Sequence, residues 1–240
     1  MNAPLLETRD VDKHFGGVAA VDAVNFALDE GELRCIIGPN GAGKTTFFKL
    51  LTGQYRPDAG QILYRGRDIG GANTSEIARL GIGIKMQVPS VFEELSVEEN
   101  LWIAARRVRK GETKRELVDS TLEMLHVDAL RHEVVARLAH GQRQLVELGT
   151  VLAGEPDLIL LDEPTAGMTS EEVARAAELI LAVNRARTLI VVEHDMSFIK
   201  LIASKVTVFH RGTILVEDTM EAILDNSEVR DIYLGRQSCL

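Results

Sequence analysis

Gly38-Pro39-Asn40-Gly41-Ala42-Gly43-Lys44-Thr45 carries the spacing Gly-x-x-x-x-Gly-Lys-Thr of a phosphate-binding loop. Triphosphate oxygens need backbone N–H groups at close range, and Gly41 and Gly43 have no Cβ to block that approach. A helix starting here, with Thr46 in its first turn, aims its free N–H groups and positive dipole end at the anion. Lys44 is spaced to reach the β- and γ-phosphates, and the Thr45 hydroxyl to ligate Mg²⁺. The alternative is a glycine-rich turn that binds nothing. The complete pattern, set between apolar Leu33-Arg34-Cys35-Ile36-Ile37 and Phe47-Phe48-Lys49-Leu50-Leu51, argues against it. The loop specifies a nucleoside triphosphate but no reaction.

Leu158-Ile159-Leu160-Leu161-Asp162-Glu163 is an apolar run ending in two carboxylates. Beside a nucleotide, Asp162 would hold the Mg²⁺ shell, and Glu163 would polarise the attacking water. Taken alone the pair reads as acidic surface; with the phosphate loop it reads as a site. Val191-Val192-Glu193-His194-Asp195 has the same form, so His194 is a candidate to hydrogen-bond the γ-phosphate or the water. Gln87 follows another short apolar run and is placed to touch Mg²⁺ or water. Phe15, before Gly16-Gly17, is either an adenine-stacking ring or plain core. His14, His126, His132 and His210 have no comparable setting and read as structural.

These groups need parallel strands to gather them, because active groups collect at the carboxyl ends of such strands. Leu5 to Phe15 and Val18 to Leu28 read as a β pair, Gln61 to Tyr64 as a short strand, and Gly83 to Met86 as another. Ser75 to Leu80 reads as a short helix. From Glu93 to Leu138 the pattern is helical, with capping-box signatures at Ser96/Glu99 and Thr113/Glu116. A helix follows Gly141 to about Ala153, and Thr169/Glu172 caps one running to about Asn184. Asp157 to Leu161 and Thr188 to Val192 are near-continuous apolar runs, as central parallel strands are. Lys205 to His210 and Thr213 to Val216 form a hairpin at Arg211-Gly212, and Ser227 to Tyr233 a last helix. Alternating strands and helices indicate an α/β fold with a mainly parallel core sheet, an N-terminal antiparallel β subdomain and a helical insertion.

The 240 residues hold 36 acidic and 27 basic residues, a formal net charge of -9. That balance argues against nucleic acid as the main partner, since phosphate contacts need basic surface. Arg106-Arg107-Val108-Arg109-Lys110 is a local basic run, read as a solvated helix end rather than a lipid-facing site. Two cysteines, Cys35 and Cys239, make no disulfide framework and suggest a reducing compartment. The N-terminal residues lack the charge and apolar stretch of a signal peptide, and no apolar run is long enough to span a bilayer.

The order of these motifs resembles the ATP-binding cassette (ABC) ATPase family along essentially the whole chain. Gly38 to Thr45 is similar to Walker A, Leu158 to Glu163 to Walker B with its catalytic glutamate, Gln87 to the Q-loop, His194 to the switch histidine and Phe15 to the adenine-stacking aromatic. Leu138-Ala139-His140-Gly141-Gln142 occupies the place of the signature motif. Within the family, Gly31 to Thr46, Glu76 to Gly83, Leu138 to Gln144, Ala166-Gly167-Met168-Thr169, Val192 to Met196 and the ending Tyr233-Leu234-Gly235-Arg236 resemble ATPases of the branched-chain amino acid and urea uptake group, most of all the urea type.

The resemblance implies one ABC ATPase domain over 1–240, with 5–92 and 139–240 as nucleotide-binding core and 93–138 as helical subdomain. It also implies ATP and Mg²⁺ as cofactors and a second ABC ATPase subunit whose signature completes the site. Transmembrane permease subunits would dock near Gln87, with a periplasmic binding protein delivering a small solute such as urea, an amide or a branched-chain amino acid. The place of work would be the cytoplasmic face of a bacterial inner membrane. A non-transport ABC ATPase or a regulatory nucleotide-binding module is the alternative. The chain departs from the family where Ala139 replaces the signature serine, which donates to the partner's γ-phosphate, and where Thr169 replaces the D-loop aspartate. A histidine at position 140 is what the urea-type relatives carry, and is the substitute donor the resemblance offers.

Overall fold

The computed structural model describes residues 3–87, 90–107 and 113–234. Residues 108–110 of the basic run, Cys239 and the Gly235-Arg236 ending lie outside them. Leu6–Phe15 (β1) and Val18–Leu28 (β2) fold back at Gly16-Gly17 and pair antiparallel, Phe15 opposite Val18. Leu33–Ile37 (β3) runs straight into the phosphate loop and Lys44–Leu51 (α1). Ala59–Tyr64 (β4) joins the other side of β1, and Arg67–Asp68 (β5) joins β4. β5 is too short to leave a periodic trace in the sequence.

Thr74–Arg79 (α2) leads to Ile82–Lys85 (β6). Two helices follow, Val97–Ala104 (α3) and Lys114–Leu125 (α4), each opened by the capping box expected at Ser96/Glu99 and Thr113/Glu116. His140–Leu152 (α5), Leu158–Asp162 (β7), Ser170–Asn184 (α6) and Thr188–Val192 (β8) continue the alternation. Met196–Ile202 (α7), Lys205–His210 (β9), Thr213–Thr219 (β10), Met220–Asp225 (α8) and Ser227–Leu234 (α9) complete it. The sequence pattern does not foresee α7 and α8. Their caps do the work that length cannot: the Asp195 carboxylate accepts the Ser197 and Phe198 N–H groups, and the Thr219 hydroxyl that of Ala222.

The strands form a sheet of order β2-β1-β4-β5 and a six-stranded sheet of order β10-β9-β3-β8-β7-β6. In the second sheet β9, β3, β8, β7 and β6 run parallel, and β10 is an antiparallel edge. Its central strands are apolar at nearly every position, Arg34, Asp162 and Thr188 apart, because both faces are covered. The pleat divides them between two cores. Cys35, Ile37, Ile159, Leu161, Leu189 and Val191 pack toward the helices. Ile36, Leu158, Leu160, Ile190 and Val192 pack toward α1 and the antiparallel sheet.

One charged residue interrupts β3. The fully buried Arg34 guanidinium donates to Glu32 Oε1 (2.6 Å), Thr207 Oγ1 (2.9 Å), the Ala27 carbonyl (3.1 Å) and the Glu217 carboxylate. It thereby satisfies a charge that burial would otherwise penalise, and ties β3 to β9, β10 and β2. Among the described residues no helix is long and apolar enough to cross a membrane.

Candidate functional site

The loop between β3 and α1 owes its shape to glycine. Gly41 has φ +77° with open space around it, and Gly43 has φ +105°. A Cβ on Gly43 would stand 2.4 Å from the Ala20 carbonyl oxygen of β2, so β2 packs directly against the loop. The β9–β10 turn supports it too, through Gly212 N–H donating to the Ala42 carbonyl (2.9 Å) and Asp22 N–H to the Gly212 carbonyl (2.9 Å). No side chain caps α1, so its first N–H groups are free for an anion. Lys44 Nζ donates to the Gly38 (2.6 Å) and Pro39 (3.1 Å) carbonyls, which hold the ammonium at the loop. Burial pulls the Lys44 pKa down, while the nearby Glu163 and Asp162 carboxylates push it up. Thr45 is exposed and Thr46 half-buried.

Strand order brings the remaining candidates to the same edge, since β8 lies beside β3, β7 beside β8 and β6 beside β7. Glu163 is the meeting point. Gln87 Nε2 donates to its Oε2 (3.0 Å), across 76 positions of sequence, and His194 Nδ1 lies 3.2 Å from its Oε1. Glu163 itself has φ +45°, a costly conformation for a glutamate, with its N–H on the Val192 carbonyl (2.9 Å). Such local strain persists only where the surroundings over-determine it. Glu193 provides part of that framework. Its carboxylate, 1 % exposed, accepts from Thr165 Oγ1 (2.6 Å) and from the His194 and Asp195 N–H groups (2.9 and 3.3 Å). The loop after β7 is thus tied to the tip of β8.

Asp162 ends β7 and is buried. Burial, and after it the charge of Glu163, push its carboxyl up to about 6, against Lys85 and Lys49, which pull it down. A raised carboxyl holds its proton more tightly in the folded than in the unfolded chain. Stability therefore falls as pH rises from the ordinary value of 3.8 through about 6. Asp162→Asn is expected to remove that fall. In urea unfolding without nucleotide or divalent metal, the variant should gain on the wild type between about pH 4 and pH 7. A wild type that gains on the variant over that range would contradict the assignment.

The donor set suits a hard cation held jointly with phosphate. Among the described residues there is no cluster of three His, Cys, Asp or Glu able to hold a metal alone. A buried carboxylate that burial drives toward neutrality gains from a nearby cation, and Mg²⁺ takes few protein ligands beside phosphate oxygens. Asp162, the Thr45 hydroxyl and the carboxamide oxygen of Gln87 are the groups that fit it.

Phe15 is not core: its ring is 46 % exposed, edge-on to Tyr55 at 5.3 Å between centroids, with Lys13 Nζ 5.7 Å from the ring centre. It sits at the same end of the β1–β2 hairpin as the Ala20 carbonyl that touches Gly43.

The candidates at Leu138-Ala139-His140-Gly141-Gln142 lie elsewhere, at the N-terminus of α5. Among the described residues no hydrogen bond or ion pair joins them to Gly38–Thr45. Ala139 is the N-cap, and an alanine offers no acceptor. Only the reverse half of a capping box forms, with Ala139 N–H donating to Gln142 Oε1 (3.0 Å). Ala139→Ser is expected to supply the missing cap and stabilise the chain by about 1 kcal/mol, raising the melting midpoint by roughly 2–4 °C. An unchanged midpoint would mean that a serine does not cap here. His140 Nε2 lies 2.9 Å from the Ala166 carbonyl, and its ring fills the space where a Cβ on Gly167 would stand. A carbonyl only accepts, so Nε2 carries the hydrogen in this contact and donates within its own chain.

Sequence reasoning did not single out Glu193, nor the buried pair of Lys85 and Glu147, 3.2 Å apart. The available signal was a charged residue at the end of an apolar strand or on the buried side of a helix.

The family profile described as ABC transporter matches residues 21–166. The high-affinity branched-chain amino acid transport ATP-binding protein LivG of Escherichia coli K12 is 34% identical over 98% of this chain and 99% of its own length. BraF of Pseudomonas aeruginosa, with the same description, is 33% identical over 98% and 99%. The lipopolysaccharide export ATP-binding protein LptB of Acidithiobacillus ferridurans is 34% identical over 97% and 98%. Among solved structures, an ATP-binding cassette of an ABC transporter in its ADP conformation superposes with TM-score 0.85 at 28% identity, covering 98% of this chain and 100% of that one. With the phosphate loop, the Glu163 cluster and a family match over most of its length, this chain belongs to the ABC transporter family, as one of its ATP-binding cassette ATPases.

Proposed function

We propose that the chain is the ATP-hydrolysing subunit of an importer for a small polar solute of the branched-chain amino acid or urea type. ATP is bound by Gly38–Thr46, with Phe15 against the adenine. Glu163 accepts the proton of the attacking water, while Gln87 and His194 hold its carboxylate in place. Mg²⁺, when bound with ATP, neutralises phosphate charge beside Thr45, Gln87 and Asp162. Leu138–Gln142 serves the nucleotide of a second ATPase subunit, and the partner's signature serves this one. The separation of the α5 N-terminus from this chain's own phosphate loop supports that division.

Residues 93–138 act as the helical subdomain, and 5–92 with 139–240 as the nucleotide-binding core. Permease subunits dock in the groove lined by Met86, Ser90, Phe92, Asn100, Ile103 and Thr150, where Phe92 is 56 % exposed. The subunit works peripherally on the cytoplasmic face of a bacterial inner membrane, with a periplasmic binding protein supplying the solute. The LivG and BraF likenesses support the amino acid branch; the runs around Glu76–Gly83 and Leu138–Gln144 support the urea branch.

The observation that carries the reading is the convergence of Gln87 and His194 on Glu163. The test is uptake into proteoliposomes containing both permease subunits, both ATPases and the binding protein, with labelled leucine and labelled urea as alternative solutes. ATP-dependent uptake of one of them supports the proposal. ATP hydrolysis without inward transport of either would favour an export role like that in LptB's description.

A further inference from the structure

Lys85 and Glu147 are the charged pair that the chemistry above leaves unused. Both side chains are 1 % exposed, and Lys85 Nζ lies 3.2 Å from Glu147 Oε2. Lys85 is the last residue of β6, opposite Leu161 in the register with β7, so it shares the sheet face covered by α5. Two residues later comes Gln87, which touches Glu163. Glu147 lies on α5 two turns beyond His140 and on the same face, since 3.6 residues make a turn. Its other oxygen, Oε1, accepts the Ser90 N–H at 3.0 Å. Ser90 and Thr150, the latter also on α5, line the groove assigned to the permease.

A buried ion pair is weak evidence for stability, because well-packed apolar residues often serve as well. What it sets is relative position. Among the described residues neither Lys85 Nζ nor Glu147 Oε2 makes an aligned hydrogen bond, despite the 3.2 Å approach. What joins α5 to β6 here is the attraction of two opposite charges, little screened because both are buried. α5 is pinned at two points of one face, by His140 to Ala166 after β7 and by Glu147 to Lys85 and Ser90 on either side of Gln87.

We propose that Lys85 and Glu147 form a positioning couple for ATP turnover, linking the placement of Gln87 at Glu163 to the placement of the signature helix α5 and the docking groove. The proposal rests on the reading of Glu163 and Gln87 given above. The pair acts through Gln87 and α5 and touches no substrate.

The test uses the complete transporter in proteoliposomes. ATP turnover, KM for ATP and melting midpoint are measured for wild type, Glu163→Gln, Lys85→Met, Glu147→Leu and the double variant Lys85→Met/Glu147→Leu. Each single variant leaves a buried charge unpaired and is expected to melt lower. The double variant should regain the wild-type midpoint and keep KM within about twofold, yet turn over about ten- to a hundredfold more slowly. A double variant that regains wild-type kcat together with its stability overturns the proposal and makes the pair a packing element. Wild type no faster than Glu163→Gln would instead bring down the underlying reading of Glu163.

Discussion

Glu163→Gln is expected to lower steady-state ATP turnover by about 10²–10⁴-fold while ATP binding is retained. The side-chain amide is nearly isosteric with the carboxylate and can still meet Gln87 and His194, which lie 3.0 and 3.2 Å from the two oxygens. What it loses is the ability to accept a proton from water. Hydrolysis is thereby separated from binding, and a closed dimer of two ATPase subunits should accumulate in the presence of ATP. The measurement is turnover alongside nucleotide titration and size-exclusion chromatography. Turnover at the wild-type rate would remove Glu163 from its role and leave the Gln87–Glu163–His194 cluster as a structural tie.

Lys44→Met should be nearly as damaging but should fail at an earlier step. The Lys44 ammonium is placed by two backbone carbonyls and neighbours Asp162 and Glu163. A methionine keeps the stem and removes the charge. A charge-assisted hydrogen bond contributes about 1.5–3 kcal/mol, so ATP affinity should fall by about ten- to a hundredfold. Turnover should drop by about 10²–10³-fold, because in the proposed role the same charge would meet the phosphate oxygens in the transition state. Side by side, Glu163→Gln binds without turning over, whereas Lys44→Met binds poorly. Equal nucleotide affinities in the two variants would contradict the assignment of Lys44 to the phosphates.

Most of the architecture could be read from local pattern. Central strands declared themselves as short apolar runs because both faces of the parallel sheet are covered, and the observed bounds of Leu33–Ile37 and Thr188–Val192 match the runs that announced them. The capping boxes at Ser96, Thr113 and Thr169 marked helix starts, since each supplies hydrogen-bond partners that a first turn otherwise lacks. β5, α7 and α8 escaped notice because two to seven residues hold too little periodicity.

The sequence by itself determined the inventory of this site. A glycine-rich loop before a helix, a carboxylate pair and a histidine at strand ends, and a glutamine after β6 each carry their chemistry in residue type and local spacing. Only the tertiary structure decided which of them meet. Gln87 and His194 reach Glu163 because β6, β7 and β8 lie side by side, and strand order is not written in any local period. The same reason hid the Lys85–Glu147 pair, whose members belong to a strand and a helix with no local sign of contact. It also decided that Phe15 is exposed, and that the His140 ring donates to Ala166 of its own chain. Local physics names the groups and the elements that bear them. Long-range packing sets the distances, and the chemistry depends on the distances.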